Sequence, residues 1–528
     1  MTGDPSVIKA ASRMGIATVV SRSIGFVRVL VVAAVLGTTY LGNAFGSSNA
    51  VSNVIFELVA AGALSAVLVP TLVEQLDRNN SAEAERLAGR ILGVALVVLG
   101  AVALVGIVLA PQIARLLTAG VTPEVIAERQ IELSTFLLRF MIPQIIFYAV
   151  AAVAIAVLYA KRRLTATALA PIGLTIGIVA AMVVFRITAG PDPGLVLSTE
   201  ERLVLALGAT FGVILFMAIP LVALRRIGFR LVPQWGRHDP AVRKVLGLSG
   251  WAILQHSMIG LLLVGAIIVG NSVEGGTIAY QTAWVFFLAP YAILGAPVQA
   301  AILPDLARQS AQPKHFSASL KWALNANAVV LVPAGAFLAA AAIPIMEVAA
   351  FGQATQANGV NLLATALASL ALGIYTYGAF LLMARAYYAL GDSRTPALVS
   401  LTSALVGLAI MILGGVLYSG TTTVAFLGFG FSGAYLFGSL ILWVKLRRRT
   451  GDGLFPSSLF PSLVVAVPLA LAVWGTFELL GPQPRGVTAV VLVTSGLVAA
   501  GIYILGLRVF RIAPSLNPEY PQVDSGGN

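Results

Sequence analysis

The chain has 528 residues, of which 59% are hydrophobic and only 10% charged, with a net charge of +12 and no cysteine. A soluble globular chain carries about 25% charged residues, so this composition excludes a water-soluble fold, and lipid must solvate much of the exterior. Lack of cysteine excludes disulfides, thiolate nucleophiles and cysteine-held metals, and the basic residues sit in short loops between apolar runs, which fits the positive-inside rule and not a nucleic-acid surface.

Met1 to Arg13 is polar, and the apolar stretch behind it has no clear signal-peptide cleavage site, so it reads as a retained first helix. The apolar runs are long and continuous, not alternating, which indicates helices and not a barrel. About 14 spans of roughly 20 residues follow, over 14–37, 43–73, 90–110, 134–160, 165–188, 203–224, 245–270, 277–303, 320–344, 361–390, 395–418, 421–444, 461–480 and 487–508. Between spans three and four, Pro111–Glu132 reads as an amphipathic surface helix; Gly190–Glu201, rich in Gly, Pro and Asp, reads as a loop. Pro514 to Asn528 is polar and reads as disordered.

The loops fix an orientation. Lys161, Arg162 and Arg163 follow span four; Arg225, Arg226, Arg230, Arg237, Arg243 and Lys244 follow span six; Arg308, Lys314 and Lys321 follow span eight. Arg394 follows span ten, and Lys445 with Arg447 to Arg449 follows span twelve, whereas Thr38–Gly42 and Gly420 carry no basic residue. All basic loops fall on one side, which places both termini in the cytoplasm.

An internal repeat is visible. Leu68-Val69-Pro70-Thr71-Leu72 ends span two and Ile302-Leu303-Pro304-Asp305-Leu306 ends span eight; Tyr159-Ala160 and Pro171 recur as Tyr388-Ala389 and Pro396. Six spans separate the copies, so both have the same orientation, and the expected fold is an all-α polytopic membrane protein of two six-helix lobes in a parallel pseudo-repeat, with a cavity between them. The lobes are expected over 1–235 and 236–450, an appended helix pair over 451–512 and a tail over 513–528.

Ionisable groups inside a span cost about 2.5–3.5 kcal/mol and mark pathways. Arg22 and Arg28 lie six positions apart in span one, about 600° around a helix, so their side chains diverge by roughly 120° while both can border one cavity. A guanidinium fork suits pyrophosphate oxygens; the alternative for Arg22 is snorkelling to the interface. Glu57 lies in span two, which also carries Asn43, Asn49 and Asn53. A carboxylate there needs a cation, for which Arg28 is the candidate; an ion pair, an internal gate and a proton or cation site are all open. Arg139 in span four and Arg385 in span ten either line the cavity or snorkel. His256 in span seven, between Gln255 and Ser257, reads as a hydrogen-bonded interior residue, and Glu347 ends span nine. Phosphate-cradling loops, zinc motifs and catalytic triads are missing from the sequence, so no enzyme, cofactor or metal is expected.

The run Ser21-Arg22-x-x-Gly25-Phe26-x-Arg28, with Gly42-Asn43-Ala44-Phe45, Asn53 and Gly62-Ala63-Leu64-Ser65-x-x-x-Val69-Pro70, resembles the opening of the MurJ (MviN) lipid II flippases. Arg385-Ala386-Tyr387-Tyr388-Ala389-Leu390-Gly391-Asp392-Ser393-Arg394-Thr395-Pro396 is similar to that family's span-ten motif. The resemblance covers the whole layout and implies a MOP-superfamily fold with two extra C-terminal helices. It further implies alternating access that carries a polyprenyl-linked peptidoglycan precursor to the outer leaflet of a bacterial plasma membrane. Arg22 and Arg28 match the family's first-helix arginines, similar to residues that contact the headgroup. The chain departs from the family at Asn43, Phe56, Glu57, Ala61 and Trp284-Val285, where charged residues are usual. The expected partners are a polyprenyl-linked glycolipid, membrane lipids and cell-wall synthesis proteins. Three readings follow: a lipid II flippase; a flippase for another polyprenyl-linked glycan or a MOP-type exporter; and a non-transporting cell-wall scaffold.

Overall fold

The computed structural model describes residues 5–56, 68–77, 81–236, 239–356, 358–450 and 454–510. Within these ranges side chains are described from Thr18 onward, except at Pro70 and Asp77, and within 240–257 only at Val242 and Leu254. Contacts group the chain into two compact units, one of Met1–Ile278 with Phe351–Gln356, the other of Ala279–Ala350 with Ala357–Asn528.

The first unit holds α1 (Pro5–Leu36), α2 (Tyr40–Phe56), α3 (Val69–Asp77), α4 (Ser81–Val108), α5 (Ala110–Leu117), α6 (Glu124–Met141), α7 (Gln144–Ala160), α8 (Leu164–Ala189), α9 (Thr199–Arg226) and α10 (Pro240–Asn271). The second holds α11 (Gly276–Pro290), whose first turn is grouped with the first unit, then α12 (Ala296–Arg308), α13 (Pro313–Ala340), α14 (Ala342–Ala349), α15 (Gly359–Ala371) and α16 (Ile374–Ala389). It closes with α17 (Arg394–Leu417), α18 (Thr421–Thr450), α19 (Leu459–Leu480) and α20 (Arg485–Val509).

Among the described residues, eleven helices are long and apolar enough to cross a membrane, and the pair α15–α16, bent by 45°, makes twelve. The two other predicted spans correspond to α2 with α3, on either side of residues outside the description, and to α10, whose apolar part is Met258–Asn271. The architecture is thus the all-α polytopic one expected.

The repeat is visible in the order of elements. A 28-residue α4 and an 8-residue α5 precede the broken span α6–α7. A 28-residue α13 and an 8-residue α14 precede the broken span α15–α16. Two long helices follow each broken span, α8 and α9 in one case, α17 and α18 in the other. Helices α19 and α20 lie outside this order, and only 11% of each apolar window is buried, so lipid must cover most of both.

Both breaks have a local cause. Pro143 has no N–H to offer the Arg139 carbonyl, and its ring crowds that carbonyl. Gly373 sits against α18, where a Cβ would meet Ser432 Oγ at 2.5 Å. The expected surface helix over 111–132 is instead two pieces. Gly120, at φ +89°, and Pro123 end α5 and start α6 anew, and the first ten residues of α6 extend span four outward. Of the loop expected over Gly190–Glu201, residues 190–198 are irregular and Thr199 to Glu201 already belong to α9, which starts with a capping box in which Ser198 and Glu201 exchange hydrogen bonds.

Glycine sets the tightest helix contact in the first unit. Gly173 and Gly177 of α8 pack on the backbone of α9 near Leu215 and Gly212, where any side chain would collide.

Candidate functional site

Span one brings two guanidinium groups into apolar surroundings by different routes. Arg22 is exposed on α1, whereas Arg28 is half-buried; a divergence of roughly 120° around the helix accounts for the difference. Arg28 has buried Tyr148 of α7 as its electrostatic neighbour. Neither arginine makes a hydrogen bond or ion pair with a described residue. The Tyr148 ring is held by an edge contact to Phe216 of α9, with centroids 5.7 Å apart.

Asn53 is half-buried on α2, which packs on α6 and α7. Arg139 is exposed in the last turn of α6, beside the break. The first unit therefore places Arg28, Tyr148, Asn53 and Arg139 on four helices of one bundle. Arg385 belongs to the other unit, half-buried on α16. Glu57 lies outside the described residues, as does its expected pairing with Arg28, and so does the side chain of His256.

A polar knot at the Lys/Arg-poor end was not anticipated from the sequence. Asn43 of α2 donates from Nδ2 to the Val273 carbonyl at 2.8 Å, and its Oδ1 accepts from the Thr277 amide at 3.0 Å. Asn271, at the end of α10, donates to the Leu117 carbonyl at 2.8 Å and accepts from the Thr277 hydroxyl at 2.8 Å and the Ser47 hydroxyl at 3.1 Å. All four side chains are buried. Gly275, at φ +75°, lies against Thr38 so closely that only glycine fits. Gln353 bonds the Pro191 carbonyl, and Gly352 lies on the Ala34 carbonyl. The knot ties α1, α2, α5, α10 and the segment 351–356 together and seals that end of the unit. Its one sequence signal is the four-residue spacing of Asn43 and Ser47, which puts both on one helix face.

In the second unit, an apolar groove of about 890 Å³ runs between α13, α19 and α20. Val330, Phe337, Val473, Tyr503 and Leu507 line it, and Arg508 stands at one end. The Tyr503 hydroxyl is satisfied by the Val329 carbonyl at 2.9 Å, leaving the ring as wall. Trp284 occupies the place where the resemblance would put a cation. Its half-buried indole stacks on Phe287 at 5.3 Å and takes edge contacts from Phe431 at 4.8 Å and Tyr377 at 6.3 Å.

Comparison with known proteins is consistent with these features. A family model described as "Lipid II flippase MurJ" matches residues 32–491. The probable lipid II flippase MurJ of Rhizobium tropici is 26% identical over 414 residues, covering 77% of this chain and 75% of the relative. That of Rhizobium meliloti (strain 1021) is 24% identical over 518 residues, covering 96% and 94%. Among solved structures, lipid II flippase MurJ in an inward closed conformation superposes with a TM-score of 0.75 at 19% identity, over 94% of this chain and 98% of the other. An inward-facing multidrug resistance MATE family transporter of the MOP superfamily gives 0.66 at 14% identity, over 84% and 98%.

Proposed function

The chain belongs to the lipid II flippase MurJ family, and from that premise we propose that it moves lipid II, a polyprenyl-pyrophosphate glycolipid, from the inner to the outer leaflet by alternating access. One observation carries the assignment of roles: Arg28 is a half-buried cation in an apolar span with no acidic partner among the described residues. Such a charge is expensive unless something anionic or wet compensates it. A pyrophosphate does so, because its oxygens match the guanidinium fork. Arg22, exposed nearer the N-terminus on the same helix, gives the headgroup an earlier contact, and Asn53 and Arg139 of the same unit contribute to that polar path; Arg385 and Glu57 are proposed as further substrate contacts.

The groove of α13, α19 and α20 suits the other half of the substrate. Its wall is apolar, so it offers a polyprenyl tail burial without desolvating any polar group. The charged head then crosses along the polar path that includes Arg28 while the tail stays in apolar surroundings. The loop charges orient the chain with both termini in the cytoplasm of a bacterial cell, and the polar knot then lies on the outer side, where it holds that end shut. The chain carries out no covalent chemistry in this reading, and its partners are the glycolipid, membrane lipids and proteins of cell-wall synthesis.

A second reading, a different polyprenyl-linked glycan, is favoured by Trp284, which offers an indole in place of a cation. Vesicles reconstituted with the protein and labelled lipid II separate the two. Transfer of lipid II to the opposite leaflet is expected, and rescue of cells depleted of their own flippase should follow. Transfer of another polyprenyl-linked glycan with lipid II left in place would establish the second reading.

A further inference from the structure

A second groove, in the first unit, has a different chemistry. It is about 700 Å³, and α8 and α9 form its walls, with Leu158 of α7 at one edge. At the level of Gly173 the two helices touch backbone to backbone. From there toward the Lys/Arg-rich end, the groove is lined by Leu169, Leu215, Ile219 and Val222, and Ile176 lies about one turn beyond the contact. Ile176 is 55% exposed and Val222 45%, so these side chains need an apolar cover. Arg163, which precedes α8, and Arg226, which ends α9, both line the mouth. Both guanidinium groups are exposed, and neither makes a hydrogen bond or ion pair with a described residue. Acidic residues are lacking from the lining.

Length identifies the occupant. From Arg163 to the Gly173 contact the helix rises about 15 Å, and from Leu215 to Arg226 about 17 Å. One leaflet of hydrocarbon is about 15 Å deep, half of a core of roughly 30 Å. The groove therefore runs from the headgroup level to about the bilayer midplane and ends within about a turn of the glycine contact, which suits acyl chains of a single leaflet.

We propose that this groove is a binding site for an anionic diacyl phospholipid of the leaflet on the Lys/Arg-rich side. Its phosphodiester sits between Arg163 and Arg226, and its acyl chains lie along Ile219 and Val222. Charge complementarity selects an anionic headgroup, because both cations at the mouth are unpaired among the described residues and the lining has no acid to offset them. The site is separate from the α13–α19–α20 groove and makes no use of Arg28.

Native mass spectrometry of the full chain, titrated with dioleoylphosphatidylglycerol or dioleoylphosphatidylcholine, tests the proposal. The phosphatidylglycerol is expected to bind in preference. The double variant Arg163→Gln/Arg226→Gln should weaken that binding about thirtyfold, from the attraction typical of each basic residue at an anionic surface, while phosphatidylcholine binding is unchanged. Ala218→Trp, which fills the groove and leaves both arginines, should reduce the binding of both lipids. Lys445→Gln/Arg448→Gln, with the same loss of charge on α18, is the control. Equal weakening in the control, or none in the arginine pair, overturns the site. Tighter binding of undecaprenyl phosphate than of phosphatidylglycerol, lost in the same arginine variant, overturns the occupant.

Discussion

The Ser52 hydroxyl on α2 donates to the Met141 carbonyl on α6 at 2.6 Å, across the break in span four. The break creates the need. Ile145, which would donate to Met141 in an unbroken helix, bonds the Ile142 carbonyl instead, at 3.2 Å. The other broken span is treated the same way. Gly373 turns to the Leu370 carbonyl, and the freed Ser369 carbonyl accepts from the Ser432 hydroxyl at 3.0 Å. In lipid a carbonyl without a donor has no water to turn to. Ser52→Ala and Ser432→Ala should each cost about 1–3 kcal/mol, read as a lower unfolding temperature in detergent. An unchanged midpoint for both would show that the breaks tolerate bare carbonyls.

Removing the Arg28 guanidinium should strike transport and leave folding intact. A hydrogen bond to a charged group is worth about 1.5–3 kcal/mol, so Arg28→Ala should slow lipid II transfer by roughly 10- to 100-fold. Arg28→Lys keeps the charge but loses the fork and should fall between. Because the half-buried cation has no acidic partner among the described residues, neither change should lower the unfolding temperature. Wild-type transfer by Arg28→Ala in vesicles would remove this residue from the headgroup path.

The sequence made the spans legible because each is a continuous apolar run, and the break at Pro143 because proline removes a donor. The break at Leu372–Gly373 was harder to see, since its cause is the close approach of Ser432, about 60 positions away. Arg22 and Arg28 stood out because charge in a span is conspicuous, but which of them is half-buried depends on how α1 packs against α8. Tyr148 was invisible as an Arg28 neighbour, one aromatic among many. The Asn43 knot was illegible for a related reason. Its partners Val273 and Thr277 lie 230 and 234 positions away, and a neutral amide in an apolar run carries no charge signal.

The Asp392 carboxylate makes stability depend on pH at the Lys/Arg-rich end. Burial pushes its pKa up, but hydrogen bonds from the Thr395 amide and hydroxyl and from Arg449 outweigh burial and hold it below the usual carboxylate range. The contacts are 2.9, 2.8 and 2.6 Å. A carboxyl depressed in the folded state adds stability that is present above its unfolded pKa and is lost as pH falls through the folded one. Wild type should therefore exceed Asp392→Asn in unfolding temperature at neutral pH, and the gap should close as pH drops below about 4. A gap constant from pH 7 to 3 would mean that Asp392 contributes through shape and not through charge.

The connection between α9 and α10 makes a prediction that needs no substrate. Residues 229–236 run as an extended strap along α4. The Gln234 amide donates to the Gly89 carbonyl at 2.9 Å, and the Arg230 amide donates to Glu85 at 2.9 Å. Arg90 bonds both Asp239 and Glu83, clipping the far end of the strap. The strap can lie this close because Gly89 and Gly93 leave one stripe of α4 bare; a Cβ at Gly93 would run into the Gln234 carbonyl. Gly93→Val should therefore lift the strap while leaving α4 helical, since valine costs a helix no more than glycine does. Hydrogen exchange at the Gln234 amide should accelerate by at least about tenfold, as expected when a local opening becomes easier by roughly 1.4 kcal/mol. Arg90→Ala, which removes the clip but not the stripe, should accelerate it less. If Gly93→Val leaves that amide as protected as in wild type, the strap is held by its ends and the glycine stripe is incidental.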